Sequence, residues 1–328
     1  MKRSVPGLFA VLVVLAACAA SGGTPGSPPG SSADDSPGPS GSAAPPGASG
    51  GNGGEIEHPA GSEPVLVVEE SGGMVMVQTL GTRLPSFVML GDGQVIIQGM
   101  QTLEFPGPAL PALIERTLSE DGVQAVLSAV EETNLFTGDL ELRGAQNVIA
   151  DATDTVFTLN AGGRTVTVSV YGLGLLDPAL GNPQGVTSGE IQAHGILSQL
   201  RDALLTVDTA VPADSWEAEG WQPYAAEAVR LYVRDVTGEP VEGGDLPEQV
   251  RDWPTDDDPA AFGEEEVGFG DGTRCGVVTG DAAAAWLEAL AAANQMTLWT
   301  TGGDTRFAVQ ARPILPHEEP TCPELFPG

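Results

Sequence analysis

Few residues of this chain have the chemistry of a catalyst. It has three cysteines (Cys18, Cys275 and Cys322) and three histidines (His58, His194 and His317). A nucleophile needs a base and an orienting group within hydrogen-bond reach. His58 stands at the edge of a Gly/Ser/Pro-rich stretch and His317 in a Pro-rich tail. His194 lies three residues from both Ile191 and Leu197, on or beside the apolar face of a helix, which points to packing more than to general base work. The folded part has no GxSxG elbow, and HExxH, CxxC and Walker A patterns do not occur. Gly268, Gly270 and Gly272 form a glycine-rich run. It precedes a strand and sits among carboxylates, so it would repel phosphate. No cofactor is expected.

Carboxylates are the abundant reactive group. Asp and Glu number 45 against 13 Lys and Arg, a net charge of −32. Nucleic-acid binding needs a positive footprint that displaces counterions, so this balance speaks against it. An anionic lipid surface would also repel the chain. Residues 235–271 hold 13 acids and one base, Arg251. Within them Asp256, Asp257 and Asp258 are candidates for a Ca²⁺ site, since hard cations take several carboxylate oxygens. The stretch does not match the EF-hand spacing, and consecutive carboxylates cannot all point at one ion. The run therefore reads as a solvated acidic loop. With so many acids, no glycosidase pair can be singled out, because such a pair is defined by its separation across a cleft.

The N-terminus gives an address. Lys2 and Arg3 precede an apolar run, Leu8 to Ala17. About ten residues at ~1.5 Å rise cannot cross a ~30 Å hydrocarbon core, so the run is a signal h-region. It ends Leu15-Ala16-Ala17-Cys18, which resembles a bacterial lipobox. That resemblance implies cleavage before Cys18, with a diacylglyceryl group on its thiol holding the chain to the membrane. The other reading is an ordinary secretory signal with Cys18 incidental. Cysteine arithmetic favours the lipid, because an odd thiol in a secreted protein needs a use. With Cys18 lipidated, Cys275 and Cys322 can pair in an oxidising compartment and close a loop worth roughly 3–4 kcal/mol. Cleavage also removes the sole lysine, leaving 11 arginines and a charge of −34. Schiff-base, Ser-Lys and P-loop lysine chemistry are then excluded.

Residues 19–54 are almost wholly Gly, Ser, Pro and Ala, with no large apolar residue. Nothing there offsets backbone entropy, which predicts a disordered tether with a root-mean-square span of roughly 30–35 Å.

The remaining chain must position whatever site exists. At 328 residues and 33.5 kDa the whole protein suits about two domains. Val65 to Val68 and Met74 to Val77 read as strands. Phe87–Leu90 and Gln94–Gln98 flank Gly91-Asp92-Gly93, a hairpin signal. Ser119 is an N-cap, with Val123, Val126, Leu127 and Val130 at helical spacing. Asp154–Asn160 and Arg164–Tyr171 flank a Gly162-Gly163 turn; Val166, Val168 and Val170 share one face. A helix spans about Ser188 to Leu205. In the second half Val229, Leu231 and Val233 alternate with Arg230, Tyr232 and Arg234, followed by strands near 275–278, 296–300 and 306–312 and a helix over 281–293. The expected fold is α+β: antiparallel sheets with helices packed on one face, in two small units. The expected boundaries are a signal peptide at 1–17, the lipidated Cys18 and tether at 18–54, a first domain at 55–210 and a second unit at 211–328. Trp216, Trp221 and Tyr224 lie between the halves and read as glue, with a ligand platform as the sharper alternative.

The segment between about 84 and 208, with LSEDGVQAVLSAVEETNLF and DTVFTLN…GRTVTVSVYG, is similar to secreted bacterial domains of the same layout. WPTDDDPAAFG, TRCGVVTG and ARPILPHEEPTC resemble predicted actinobacterial-type lipoproteins. These resemblances imply a layout and an envelope location and carry no reaction. The expected role is a membrane-anchored, extracytoplasmic, non-enzymatic binding or structural module, with an envelope protein or glycan as partner. The alternative is an extracytoplasmic hydrolase using carboxylates or a divalent cation. A deep cleft with two close carboxylates, and Trp216 or Trp253 alongside, would mark that alternative.

Overall fold

The computed structural model describes residues 54–176, 185–240, 248–323 and 325. The expected leader and Cys18, and all of the tether except Gly54, lie outside the described residues. The fold is α+β and is built on two sheets.

The first sheet is assembled from β1 (Pro64–Ser71), β2 (Phe87–Leu90), β3 (Gln94–Gln98), β4 (Leu113–Thr117), β5 (Leu140–Leu142), β6 (Asp154–Ala161), β7 (Arg164–Tyr171) and β8 (Gln222–Pro223), in the order β5-β7-β6-β1-β2-β3-β4-β8. The period of two in β7 buries Val166, Val168 and Val170 against the helices. Each such side chain contributes about 1.5–3 kcal/mol by leaving water. The turn through Gly91, Asp92 and Gly93 sets the β2–β3 register, pairing Phe87 with Ile97 and Met89 with Val95. Those four residues face the helix-side core, while Val88, Leu90 and Ile96 join a second cluster on the other face.

Three helices accompany this sheet: α2 (Glu120–Glu132), α3 (Ser188–Leu205) and the short α4 (Val207–Ala210). Ser119 caps α2 through its hydroxyl, which accepts from Gly122 N at 3.4 Å. Asn134, just past its end, has φ of 57°. Thr187 and Glu190 form a reciprocal capping box at the start of α3. Both helices turn Val or Leu side chains into one core with Phe157 and Leu159.

Met74 to Val77 is not a strand. Gly72 and Gly73, with φ of 60° and 81°, turn the chain away, and α1 (Val77–Thr82) follows. The physical reason is pairing: β1 already has β6 on one edge and β2 on the other. Met74 and Met76 are left exposed.

The second sheet contains β9 (Ala228–Asp235), β10 (Val250–Asp252), β11 (Glu264–Glu265), β12 (Arg274–Thr279), β13 (Leu298–Thr300) and β14 (Phe307–Pro313), in the order β10-β13-β14-β9-β12-β11. Its helix is α5 (Gly280–Ala291). Val229, Leu231, Val233, Phe307, Val309 and Ala311 pack with Trp253, Trp286, Trp299 and Leu290 on the α5 side. Trp253 and Trp286 meet edge to face with ring centroids 4.7 Å apart, and Trp286 and Trp299 meet tilted at 5.0 Å. Most neighbouring strands in both sheets are antiparallel, as the tight turns predict. The exceptions are β5–β7 and β10–β13, which are parallel. In both exceptions the three-residue edge strand is reached by a longer excursion instead of a hairpin.

Both sheets belong to one contact unit, Gly53–Gly328. Trp216 and Trp221 stay with the first sheet: Trp216 joins its core, and β8 pairs with β4. Tyr224 makes the crossing, donating from its hydroxyl to Ile314 O at 3.0 Å. Among the described residues, no helix is long and apolar enough to cross a membrane.

Candidate functional site

Alternation along β9 puts Arg230, Tyr232 and Arg234 on the face of the second sheet opposite α5. Register carries Ala308, Gln310 and Arg312 of β14, and Cys275 of β12, to the same face. This outer face divides into a covered end and an open end.

At the covered end, Cys275 and Cys322 form a disulfide with Cα atoms 6.1 Å apart. It ties the C-terminal tail across the sheet. Arg230 Nε donates to Thr321 O at 2.8 Å. Arg312 donates to both Glu318 oxygens, at 2.7 and 2.5 Å, and from Nε to Arg83 O at 2.7 Å. The Arg312 side chain is 5% exposed. Burial pushes the Glu318 carboxyl up, but the Arg312 hydrogen bonds and charge outweigh it and hold the group below the usual carboxylate range. Burial pulls the neighbouring His317 imidazole down. Arg230 is also lowered, first by burial and then by the Arg312 charge.

At the open end lies a cavity of about 390 Å³. Tyr232 and Phe269 stack along it, with centroids 5.2 Å apart and planes 28° apart. Phe269 is placed by the 3-10 turn Val267–Phe269, in which Gly268 N donates to the Glu266 side chain at 3.2 Å. Gly81 of α1 lies so close to the Tyr232 ring that a Cβ there would fall 2.7 Å from Cζ. Burial therefore raises the Tyr232 hydroxyl pKa, against the opposing charge of Arg230. The charged groups in the cavity are matched: Arg234 Nη1 donates to both Glu239 oxygens at 2.8 Å and its Nε lies 3.6 Å from Asp271, while Arg306 Nε donates to Glu248 at 3.2 Å. Gln78, Gln295, Met76 and Met296 complete the wall.

A second, wider groove runs between the two sheets, with a volume of about 940 Å³. Its lining includes Asp92, Glu115, Glu227 and Glu318, the phenol of Tyr224, and the small-residue face of α5 at Ala283 and Ala284. Burial pushes the Tyr224 hydroxyl up to about 12, and Glu115, Glu318 and Glu227 add to the rise.

The aspartates proposed from sequence do not converge. Asp256, Asp257 and Asp258 are all exposed. Asp257 accepts from Trp253 Nε1 at 3.4 Å and from the Thr255 hydroxyl, whereas Asp258 caps Ala260 N at 3.0 Å. Among the described residues, no three His, Cys, Asp or Glu side chains are grouped so as to hold a metal ion. Trp216 and Trp253, which would flank a hydrolytic cleft, are both in cores instead. His194 is 3% exposed, and neither ring nitrogen has a hydrogen-bond partner. Sequence reasoning did not find the cavity, because its walls come from six stretches that only the fold brings together. The one visible signal was β9, where three large polar residues alternate with three buried aliphatic ones. In comparisons with known proteins, no family model, no curated protein and no solved structure matches this chain.

Proposed function

We propose that the protein is a lipid-anchored, extracytoplasmic lipoprotein that acts as a non-enzymatic binding module of the cell envelope. The observation that carries this reading is the pairing of Cys275 with Cys322. It leaves Cys18 as the one cysteine of the sequence outside that pair, directly after Leu15-Ala16-Ala17 at the end of an apolar run. A structural disulfide also suits an oxidising compartment. The outer-face cavity supports the binding role. Its volume lies within the range of ligand pockets, and its lining combines apolar side chains with as many polar and charged ones.

Mass spectrometry of the native N-terminal peptide tests the anchor. The expected result is a diacylglyceryl thioether on Cys18 as the first residue, with Cys18→Ala shifting the chain out of the membrane fraction. A bare thiol, or a retained leader, would remove the anchor from this reading.

A further inference from the structure

The chain reaches the first sheet through a strap, residues 55–63, laid across the end of the sheet where β1 begins. Its backbone is pinned at four places. Ile56 and Gln124 of α2 exchange two hydrogen bonds: Ile56 N donates to Gln124 Oε1 at 2.7 Å, and Gln124 Nε2 donates to Ile56 O at 2.9 Å. Gly162 N, in the β6–β7 turn, donates to Glu57 O at 2.7 Å. Asp92 N and Gly91 N, in the β2–β3 turn, donate to Gly61 O and Glu63 O, each at 2.9 Å. The Ile56 side chain packs against the first core. His58 sits among these contacts, with its side chain 11% exposed.

Both ring nitrogens of His58 face oxygen. Nδ1 lies 2.7 Å from Pro59 O, and Nε2 lies 3.1 Å from Glu120 Oε1. A carbonyl oxygen only accepts, and so does an ionised carboxylate. A neutral imidazole donates from one nitrogen and accepts at the other. The two bonds therefore exist together only with a proton on each nitrogen. Hydrogen bonds from Gln124 first, and then from His58, outweigh burial and hold the Glu120 carboxyl below the usual carboxylate range. The surroundings favour the extra proton. Glu120 and Asp121 open α2, Glu55, Glu57 and Glu63 lie on the strap, and Asp92 stands in the β2–β3 turn. Glu55 also reaches Glu120. Arg164, the base on these elements, is exposed at the start of β7.

We propose that residues 55–63 form a proton-controlled clasp, closed over the first sheet while His58 carries two ring protons and loosened when it gives one up. A lone pair on one nitrogen then faces an oxygen, and repulsion replaces a charge-assisted bond. Protonation and closure favour each other, because a proton held more tightly in one state shifts the population toward that state. The effect extends to the groove between the sheets, since Ser62 of the strap and Asp92 beside it line that groove. The clasp also stands where the tether expected over residues 19–54 meets the folded chain, so it sets whether that join is fixed or free. It depends neither on the anchor at Cys18 nor on a ligand.

Amide hydrogen exchange of the full chain at pH 5 and pH 8, corrected for the pH dependence of exchange in an unstructured chain, tests the clasp. Protection of the Ile56, Asp92 and Gly162 amides should be about tenfold lower at pH 8, the loss of one charge-assisted bond, with β1 and β6 unchanged. His58→Phe should show the low protection at both pH values. Glu120→Gln should remove the pH dependence, because a side-chain amide can accept from an imidazolium or donate to a neutral ring. Gly91→Ala opens the clasp with the ring intact: its Cβ would fall 2.3 Å from Pro59 O, so protection of Ile56 and Gly162 should be low at both pH values. Equal protection of the wild type at pH 5 and pH 8 would overturn the proposal. So would a pH-dependent loss of unchanged size in His58→Phe, Glu120→Gln or Gly91→Ala.

Discussion

The two sheets use their faces differently. The central hairpin of the first, β2–β3, buries residues on both sides: Phe87 and Met89 toward α2 and α3, Val88 and Leu90 toward Leu315. The second sheet commits one face to packing against α5 and lays out arginines, a tyrosine and a cystine on the other. Half of that outer face is closed by a tied-down tail, and half is a cavity. Only the central strands of the first sheet are buried on both faces; its β4 and β7 keep partly exposed residues on the outer side. That buried centre serves as scaffold, and the second sheet carries the polar groups that could meet a partner.

The sharpest way to break this contrast is to collapse the second core. Trp286 is fully buried among Trp253 and Trp299. Trp286→Ala should cost up to about 5 kcal/mol. Hydrogen exchange should then rise across β9, β12 and β14 while β1, β6 and β7 stay protected, since the two clusters share no residue. Equal loss of protection in both sheets would show one cooperative unit and dissolve the division of labour.

Releasing the tail is a smaller perturbation. Replacing both Cys275 and Cys322 by Ala should cost roughly 3–4 kcal/mol by loop entropy, read as a lower denaturant midpoint. Because the cystine ties the tail over Arg230, protection should fall first around 312–321. Unchanged exchange there would mean that the Arg312–Glu318 ion pair and the Arg230 hydrogen bond hold the tail.

The Arg312–Glu318 ion pair comes next. Glu318→Gln leaves the Arg312 guanidinium without its anion. It should cost about 2–3 kcal/mol, less than a fully buried pair because the Glu318 side chain keeps 20% of its exposure. The pH dependence fixes the sign. Glu318 is held below its ordinary 4.5, so its stabilisation is complete above that value and is lost as pH falls through the lower folded one. The variant should flatten the acid limb of the stability curve below pH 4.5, and an unchanged limb would refute the assignment.

What could be read in advance follows the same division. Elements specified by their own residues were legible. The run from Ser188 to Leu205 marks α3, Ser119 delimits α2, Gly91 to Gly93 turns a hairpin, and Val166 to Val170 alternate. Elements specified by a distant partner were not. Nothing in Leu140–Leu142 or Val250–Asp252 announces a strand, because each becomes one only beside β7 or β13. Met74 to Val77 has a strand's composition but no free edge to pair with. The cavity is the extreme case, joining residues near 76, 232, 269, 295 and 310. Composition did announce an acidic surface, but it could not show that Asp257 and Asp258 serve local turns while Glu239 and Asp271 face Arg234.

The smallest expected effect sharpens the contrast from the scaffold side. His194 sits on α3 with both ring nitrogens buried and unpaired. Burial lowers its imidazole below the ordinary 6.5, and the Glu190 charge opposes this only in part. Above pH 6.5 the ring is neutral in folded and unfolded chains alike, so it contributes no pH dependence. As pH falls below 6.5 the unfolded chain takes up a proton that the folded chain refuses, and stability declines until the lower folded value is reached. His194→Leu removes both the refused proton and the unpaired nitrogens. It should gain stability at every pH from loss of the unpaired nitrogens, and about 1 kcal/mol more near pH 5 than above pH 7, measured as thermal midpoints across that range. The slope that remains then carries opposed contributions from His317, which burial also lowers and which lies beside Arg312 and Glu318, and from Glu69, whose carboxyl burial raises. If His194→Leu instead destabilises the chain at every pH, the imidazole makes a contact that matters to α3, and the scaffold half holds a polar requirement of its own.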